Sequence, residues 1–153
     1  MITDADSYFM GLALNEAARA FDEGEIPVGA VIVADGKVIA SAHNMTEALT
    51  DVTAHAEMLA ITAAQAALGK FLTGATLYVT VEPCTMCAGA IGWTRLARVV
   101  YGAAEPRIGY STMVSRSPFH PKTLVTTGIR ADEASALMKD FFMTRRPPQK
   151  SDK

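Results

Sequence analysis

The sequence predicts an α/β fold whose mixed five-stranded sheet is covered by helices. Three observations lead there: a hairpin dipeptide between two apolar runs near the start, an alternation of strand-like and helix-like periods after it, and amphipathic stretches at both ends of the chain. Phe9, Leu12, Ala13, Ala17, Ala20 and Phe21 recur at helical spacing and predict an amphipathic helix over the first twenty-odd residues, ending near Gly24. The runs I-P-V-G-A-V-I-V-A at 26–34 and K-V-I-A-S-A-H-N at 37–44 flank Asp35-Gly36, a dipeptide suited to a tight hairpin because both turn residues need positive φ. A polar loop leads to a helical stretch from His55 to Ala67, followed by a strand at 75–81, a helix opened by Pro83 and a strand at 97–102. T-L-V-T-T at 123–127 adds a fifth strand. Strands alternating with helices require crossovers, and so a parallel portion of sheet covered on both faces. The closing helix carries Ala134, Leu137, Met138, Phe141 and Phe142 as a mostly core-facing stripe. Met86 and Met138 read as core filler, and Tyr78 and Tyr101 as half-buried strand residues.

At 153 residues the chain fits one domain that can bury about 70% of its extended surface, so it needs no disulfide staple. We expect residues 1–146 to form that domain and 147–153 a flexible C-terminal tail. Half the residues are hydrophobic and a fifth charged, and the chain has no apolar run long enough to span a bilayer. The start, M-I-T-D-A-D-S, lacks the basic and apolar regions of a secretory signal, which makes the cytoplasm the expected location. A net charge of −2 argues against a generic nucleic-acid coat. Residues 139–153 nevertheless carry five basic and two acidic side chains, a local +3 that could meet a phosphate backbone or simply be solvated.

The chemistry concentrates in two short stretches. T-A-H-A-E-M at 53–58 places an imidazole and a carboxylate at the start of an otherwise apolar helix, and E-P-C-T-M-C at 82–87 holds both cysteines of the chain. Zinc accepts imidazole nitrogen and thiolate sulfur, and a catalytic zinc keeps three protein ligands so that water can take the fourth position. His55, Cys84 and Cys87 supply three. Cys84 and Cys87, three apart at a helix start, sit at the positive end of the helix, where thiolates are favoured. His55 can approach them if strands 27–34 and 75–81 are neighbours. Glu57, two residues from His55, is poorly placed to chelate from the same helix face. It is better suited to take a proton from the water and pass it to a ring nitrogen and a leaving amine. The alternatives are a capping histidine, a solvated glutamate, a redox dithiol and half of a structural zinc knuckle. The redox reading wants the cysteine pair after an early strand, and the knuckle wants a second ligand pair, which the sequence lacks.

H-x-E followed by P-C-x-x-C is the signature of zinc nucleobase deaminases. With E-I-P-V-G-A-V-I-V at 25–33, H-N at 43–44, D-V-T-A-H-A-E-M at 51–58, T-L-Y-V-T-V-E-P-C-T-M-C-A-G-A-I at 76–91, R-V-V-Y-G-A at 98–103 and D-F-F-M-T-R-R at 140–146, the chain resembles the cytidine deaminase superfamily. Within it the chain is similar to the bacterial tRNA adenosine deaminases. The resemblance implies a three-layer α/β/α cytidine-deaminase-like fold, one zinc per subunit and a homodimer in which Met86, Ile91 and Trp93 could be interfacial. It also implies conversion of the wobble adenosine in a tRNA anticodon loop to inosine. By the same resemblance His55, Cys84 and Cys87 would bind zinc, Glu57 would shuttle protons, Asn44 would hydrogen-bond the base, and Val28 and Ala56 would line the pocket. Arg107, Arg145, Arg146 and Lys150 are the candidate RNA contacts. The stretch 104–122 departs from the pattern expected of the tRNA enzymes and should border the substrate mouth. It keeps open the alternative of a deaminase acting on a free nucleobase or nucleoside of the guanine or cytosine type, and a non-catalytic zinc module is the rival of another class.

Overall fold

A computed structural model describes residues 4–144; the proposed RNA contacts Arg145, Arg146 and Lys150, and the tail, lie outside the described residues. The elements run α1 (Asp4–Asp22), β1 (Gly29–Ala34), β2 (Lys37–His43), α2 (Ala56–Leu68), β3 (Ala75–Val81), α3 (Thr85–Thr94), β4 (Arg98–Ala103), α4 (Tyr110–Met113), β5 (Leu124–Thr127) and α5 (Ala131–Thr144). The strands form one sheet in the order β2-β1-β3-β4-β5. β1 is antiparallel to both β2 and β3, whereas β3, β4 and β5 run parallel, giving the mixed five-stranded sheet expected. Asp35 and Gly36 close the β1–β2 hairpin with φ of 52° and 72°, the left-handed pair that matches the strand twist.

Period-two alternation explains the layers. Ala30 and Ile32, Leu77 and Val79, and Val99 and Tyr101 pack with Ala56, Ala60, Ala64, Ala88 and Ile91 of α2 and α3. The intervening Val31, Val33, Tyr78 and Val100 pack with Met10, Leu14 and Ala134 of α1 and α5. Both faces of the sheet are thus covered, which is the three-layer α/β/α arrangement. Tyr78 and Tyr101 are buried rather than half-buried. The Tyr78 hydroxyl donates to Asp6 Oδ1 at 2.9 Å, so the phenol is satisfied inside the sheet. Asp6 is also gripped by Arg98, with Nη1 to Oδ1 and Nη2 to Oδ2 both at 2.7 Å, which ties the start of α1 to β4.

Most element ends fall within a residue or two of expectation; two starts and one element need a physical reason. β1 begins at Gly29 rather than 26, because Pro27 has no N–H to give to the ladder. α3 begins after Pro83: the chain is still extended at Cys84, whose backbone bridges Gly109. The short α4 was not anticipated; its Tyr110 buries its ring 4.7 Å from that of Phe119. Among the described residues no helix is long and apolar enough to cross a membrane.

Candidate metal centre and the cavity above it

His55 and Cys84 occupy the capping positions of α2 and α3, both with extended backbones (φ −76°, ψ 154° and φ −72°, ψ 174°). Their carbonyls accept the first intrahelical bonds, from Leu59 N–H at 3.1 Å and Ala88 N–H at 2.8 Å. Neither side chain makes a capping bond. Both turn toward each other instead: β2 and β3 each run antiparallel to β1 and so end at the same end of the sheet, where α2 and α3 begin. His55 Nδ1 lies 3.6 Å from Cys84 Sγ and 3.5 Å from Cys87 Sγ, and the three ligand atoms all fall within 4.8 Å of one another.

These separations fit one zinc ion. Bonds of ~2.0 Å to nitrogen and ~2.3 Å to sulfur at a tetrahedral angle place the nitrogen and each sulfur roughly 3.5 Å apart. The charge state fits as well. A hydrogen bond from the Cys87 thiol draws the Cys84 thiol down to about 4, with His55 adding to the effect. Cys87 is pushed up, first by that same bond to Cys84 and then by its burial. The bond to Cys84 raises His55. Two sulfurs and an imidazole nitrogen this close together, with the Cys84 thiol held low, form a donor set that a divalent cation completes.

Glu57 lies in the first turn of α2 at 4% exposure, and burial pushes its carboxyl up to about 7. It opens, with His55 and Cys84, on a cavity of about 550 Å³ that Val28 and Asn44 also line. The Asn44 N–H donates to Val28 O at 3.1 Å, so the end of β2 and the approach to β1 deliver both residues together. Asn44 Nδ2 reaches Thr46 Oγ1 at a long 3.5 Å. Ala56 is not on the wall: it is fully buried where α2 packs on the sheet. Arg107 lines the mouth with its side chain 80% exposed, and its Nε is 3.7 Å from Glu105 Oε1. Glu105 and Ile108 lie beside it, so the segment that departs from the family pattern does border the cavity. Met138 and Phe142 also line the cavity, so α5 sends part of its apolar stripe there rather than into the core.

Three buried polar residues around the site carried no role in the sequence. Glu25, at 1% exposure, accepts the N–H groups of Glu47 and Ala48 at 3.0 and 2.8 Å, fixing one cavity wall. Glu82 accepts from Glu105 and Ser111 on the opposite wall. His43 is held between Glu16 and Glu23, both at 2.9 Å. For Glu82 the sequence signal was a charged residue directly after an apolar strand, which is costly unless partnered, but the partners of all three lie far away in the chain.

A sequence profile for the zinc-binding region of cytidine and deoxycytidylate deaminases matches residues 3–103. The tRNA-specific adenosine deaminase of Bacillus subtilis is 42% identical over 151 residues, covering 95% of this chain and 94% of that protein. A solved structure from a study of A-to-I editing by tRNA:A34 deaminases at the wobble position of transfer RNA has a TM-score of 0.79 and 46% identity, covering 85% of this chain and 98% of its own. A guanine deaminase from Bacillus subtilis has a TM-score of 0.61 and 43% identity, covering 63% of each chain. With the His-Cys-Cys cluster, the buried glutamate and the three-layer sheet all in place, the chain belongs to the cytidine and deoxycytidylate deaminase family, on the side of the tRNA-specific adenosine deaminases.

Proposed function

We propose that this protein hydrolyses the 6-amino group of the wobble adenosine in a tRNA anticodon loop, releasing ammonia and leaving inosine. The observation that carries this is end-to-end similarity to tRNA-specific adenosine deaminases in a chain whose buried carboxylate and three zinc donors open on one cavity. His55, Cys84 and Cys87 would hold zinc, and when bound it would supply Lewis acidity that makes the attacking water more acidic. Glu57 takes a proton from the attacking water and delivers protons to the ring nitrogen and the departing amine; burial near neutrality suits it to both directions. Asn44 offers an amide donor and acceptor to the purine edge, its contact with Thr46 being long enough for a base to displace. Val28 packs against the ring, and the burial of Ala56 leaves it supporting α2 from beneath.

An anticodon loop already splays its bases, so little unstacking is needed and few phosphate contacts suffice. Arg107 is one; Arg145, Arg146 and Lys150 are the others. Residues 1–146 act as one deaminase unit, and the cytoplasm is where its substrate is met. The homodimer reading draws support from Trp93, which stands 83% exposed on α3, while Ile91 belongs to the core. The second reading, a free-base enzyme, draws support from the guanine deaminase similarity. The test is ammonia release from an anticodon stem-loop, bulk tRNA, guanine, adenine, cytosine and their nucleosides. Inosine formed in the RNA, with an apparent affinity that falls steeply as salt rises, is expected. Ammonia from a free base with no reaction on RNA overturns the tRNA assignment.

A further inference from the structure

Glu82 stands at the end of β3, two residues before the first cysteine, and is 5% exposed. Its Oε1 accepts the Glu105 N–H at 3.0 Å, and its Oε2 accepts the Ser111 N–H at 2.9 Å and the Ser111 hydroxyl at 2.6 Å. The main chain reinforces the link. Glu82 N–H donates to Ala103 O at 2.8 Å, Tyr110 N–H donates to Pro83 O at 2.9 Å, and Cys84 bridges Gly109. Gly109 lies so close that a Cβ there would sit 2.5 Å from Glu82 Oε1 and 2.6 Å from the Glu105 carbonyl. The segment 103–111 therefore wraps around one carboxylate, with Arg107 and Ile108 at its tip. These two side chains are 80% and 58% exposed, so their place at the cavity mouth is set by the backbone beneath them.

We infer that Glu82 is a positioning residue that hangs the 105–111 wall on the metal-ligand turn and so sets how tightly substrate is held at the mouth. This rests on the RNA reading for the identity of the substrate, though not for the anchoring. Glu82 is no second proton carrier, because both oxygens are taken by donors. An amide cannot replace it: whichever way a glutamine is flipped, its NH₂ faces a backbone N–H. The loss falls on the loop, since His55, Cys84, Cys87 and Glu57 keep their own contacts.

The experiment uses full-length, zinc-loaded protein and compares Glu82→Gln, Ser111→Ala and Ser111→Thr with wild type. Metal content, backbone amide exchange over 103–113, and KM and kcat on an anticodon stem-loop are measured. Glu82→Gln should keep one zinc, accelerate exchange at 105 and 111, and raise KM about 10-fold while kcat falls less than about 3-fold, the scale of one lost charge-assisted anchor. Ser111→Ala should raise KM by a smaller factor, and Ser111→Thr, which keeps the hydroxyl, should restore it. Ser111 is exposed, so its variants carry the test if Glu82→Gln does not fold. A wild-type KM despite faster exchange overturns the inference, as does a loss confined to kcat or loss of zinc. If wild type turns over a free base and not RNA, the tRNA reading fails, and the same KM ratio measured on that base still decides the role of Glu82.

Discussion

Replacing Glu57 with Gln keeps the size of a side chain that is 4% exposed and leaves all three zinc donors in place, so the variant should fold and retain its metal. What it removes is the proton path. The other carboxylates lining the cavity are poorly placed to substitute. Glu82 is saturated by Glu105 and Ser111, Asp51 accepts two bonds from Thr53, Glu105 accepts the Arg107 N–H, and Glu47 is exposed. General acid–base catalysis by one group contributes about 10²–10⁴-fold. Two transfers, to the ring nitrogen and to the leaving amine, pass through Glu57, which places the loss near the upper end, about 10³–10⁴-fold in kcat or roughly 4–5.5 kcal/mol of activation free energy. The assay is single-turnover ammonia release at saturating RNA, run beside a zinc determination. A zinc-loaded variant within about 10-fold of wild type would refute the shuttle role.

Arg98→Met breaks the bidentate pair with Asp6, whose side chain is 1% exposed, and should cost about 3–5 kcal/mol. At about 2–4 °C per kcal/mol for a chain of this size, calorimetry should show Tm falling by roughly 6–20 °C, and a fall under about 3 °C would remove the pair from the fold's foundations. His43 is buried, which by itself lowers its pKa, but its bonds to Glu16 and Glu23 outweigh this and raise it above 6.5. The sign follows: its stabilisation is complete below the unfolded value and is lost as pH rises through the higher folded one. Urea unfolding should therefore show wild type's advantage over His43→Gln to be larger at about pH 6 than at about pH 9, and a gap that widens with pH contradicts the clamp.

The elements that local periodicity governs were legible before the structure. Asp35-Gly36 announced its turn, the runs at 75–81 and 97–102 announced two strands, and the spacing of Cys84 and Cys87 announced a metal pair at a helix start. His55 reaches the cysteines because β1 and β3 are neighbours, as the sequence reading required, and because β2 pairs with β1 on its other side. What sequence could not show was set by partners far off in the chain. Glu25 binds a loop 22 residues on, Glu82 one 29 residues on, and Asp6 meets Arg98 across 92 positions. Met138 and Phe142 carry the same apolar signal as Phe141, yet line the cavity while Phe141 is buried, because helical spacing marks a stripe and not what it faces.

The two helices that meet at the site begin on residues poorly chosen for beginning a helix. A Ser, Thr, Asp or Asn at either place would contribute about 1 kcal/mol by capping, and His55 and Cys84 forgo it. Local frustration is thus concentrated at the two spots where an ion does most to relieve it. Binding zinc should therefore slow amide exchange in the first turns of α2 and α3 more than in the strands behind them.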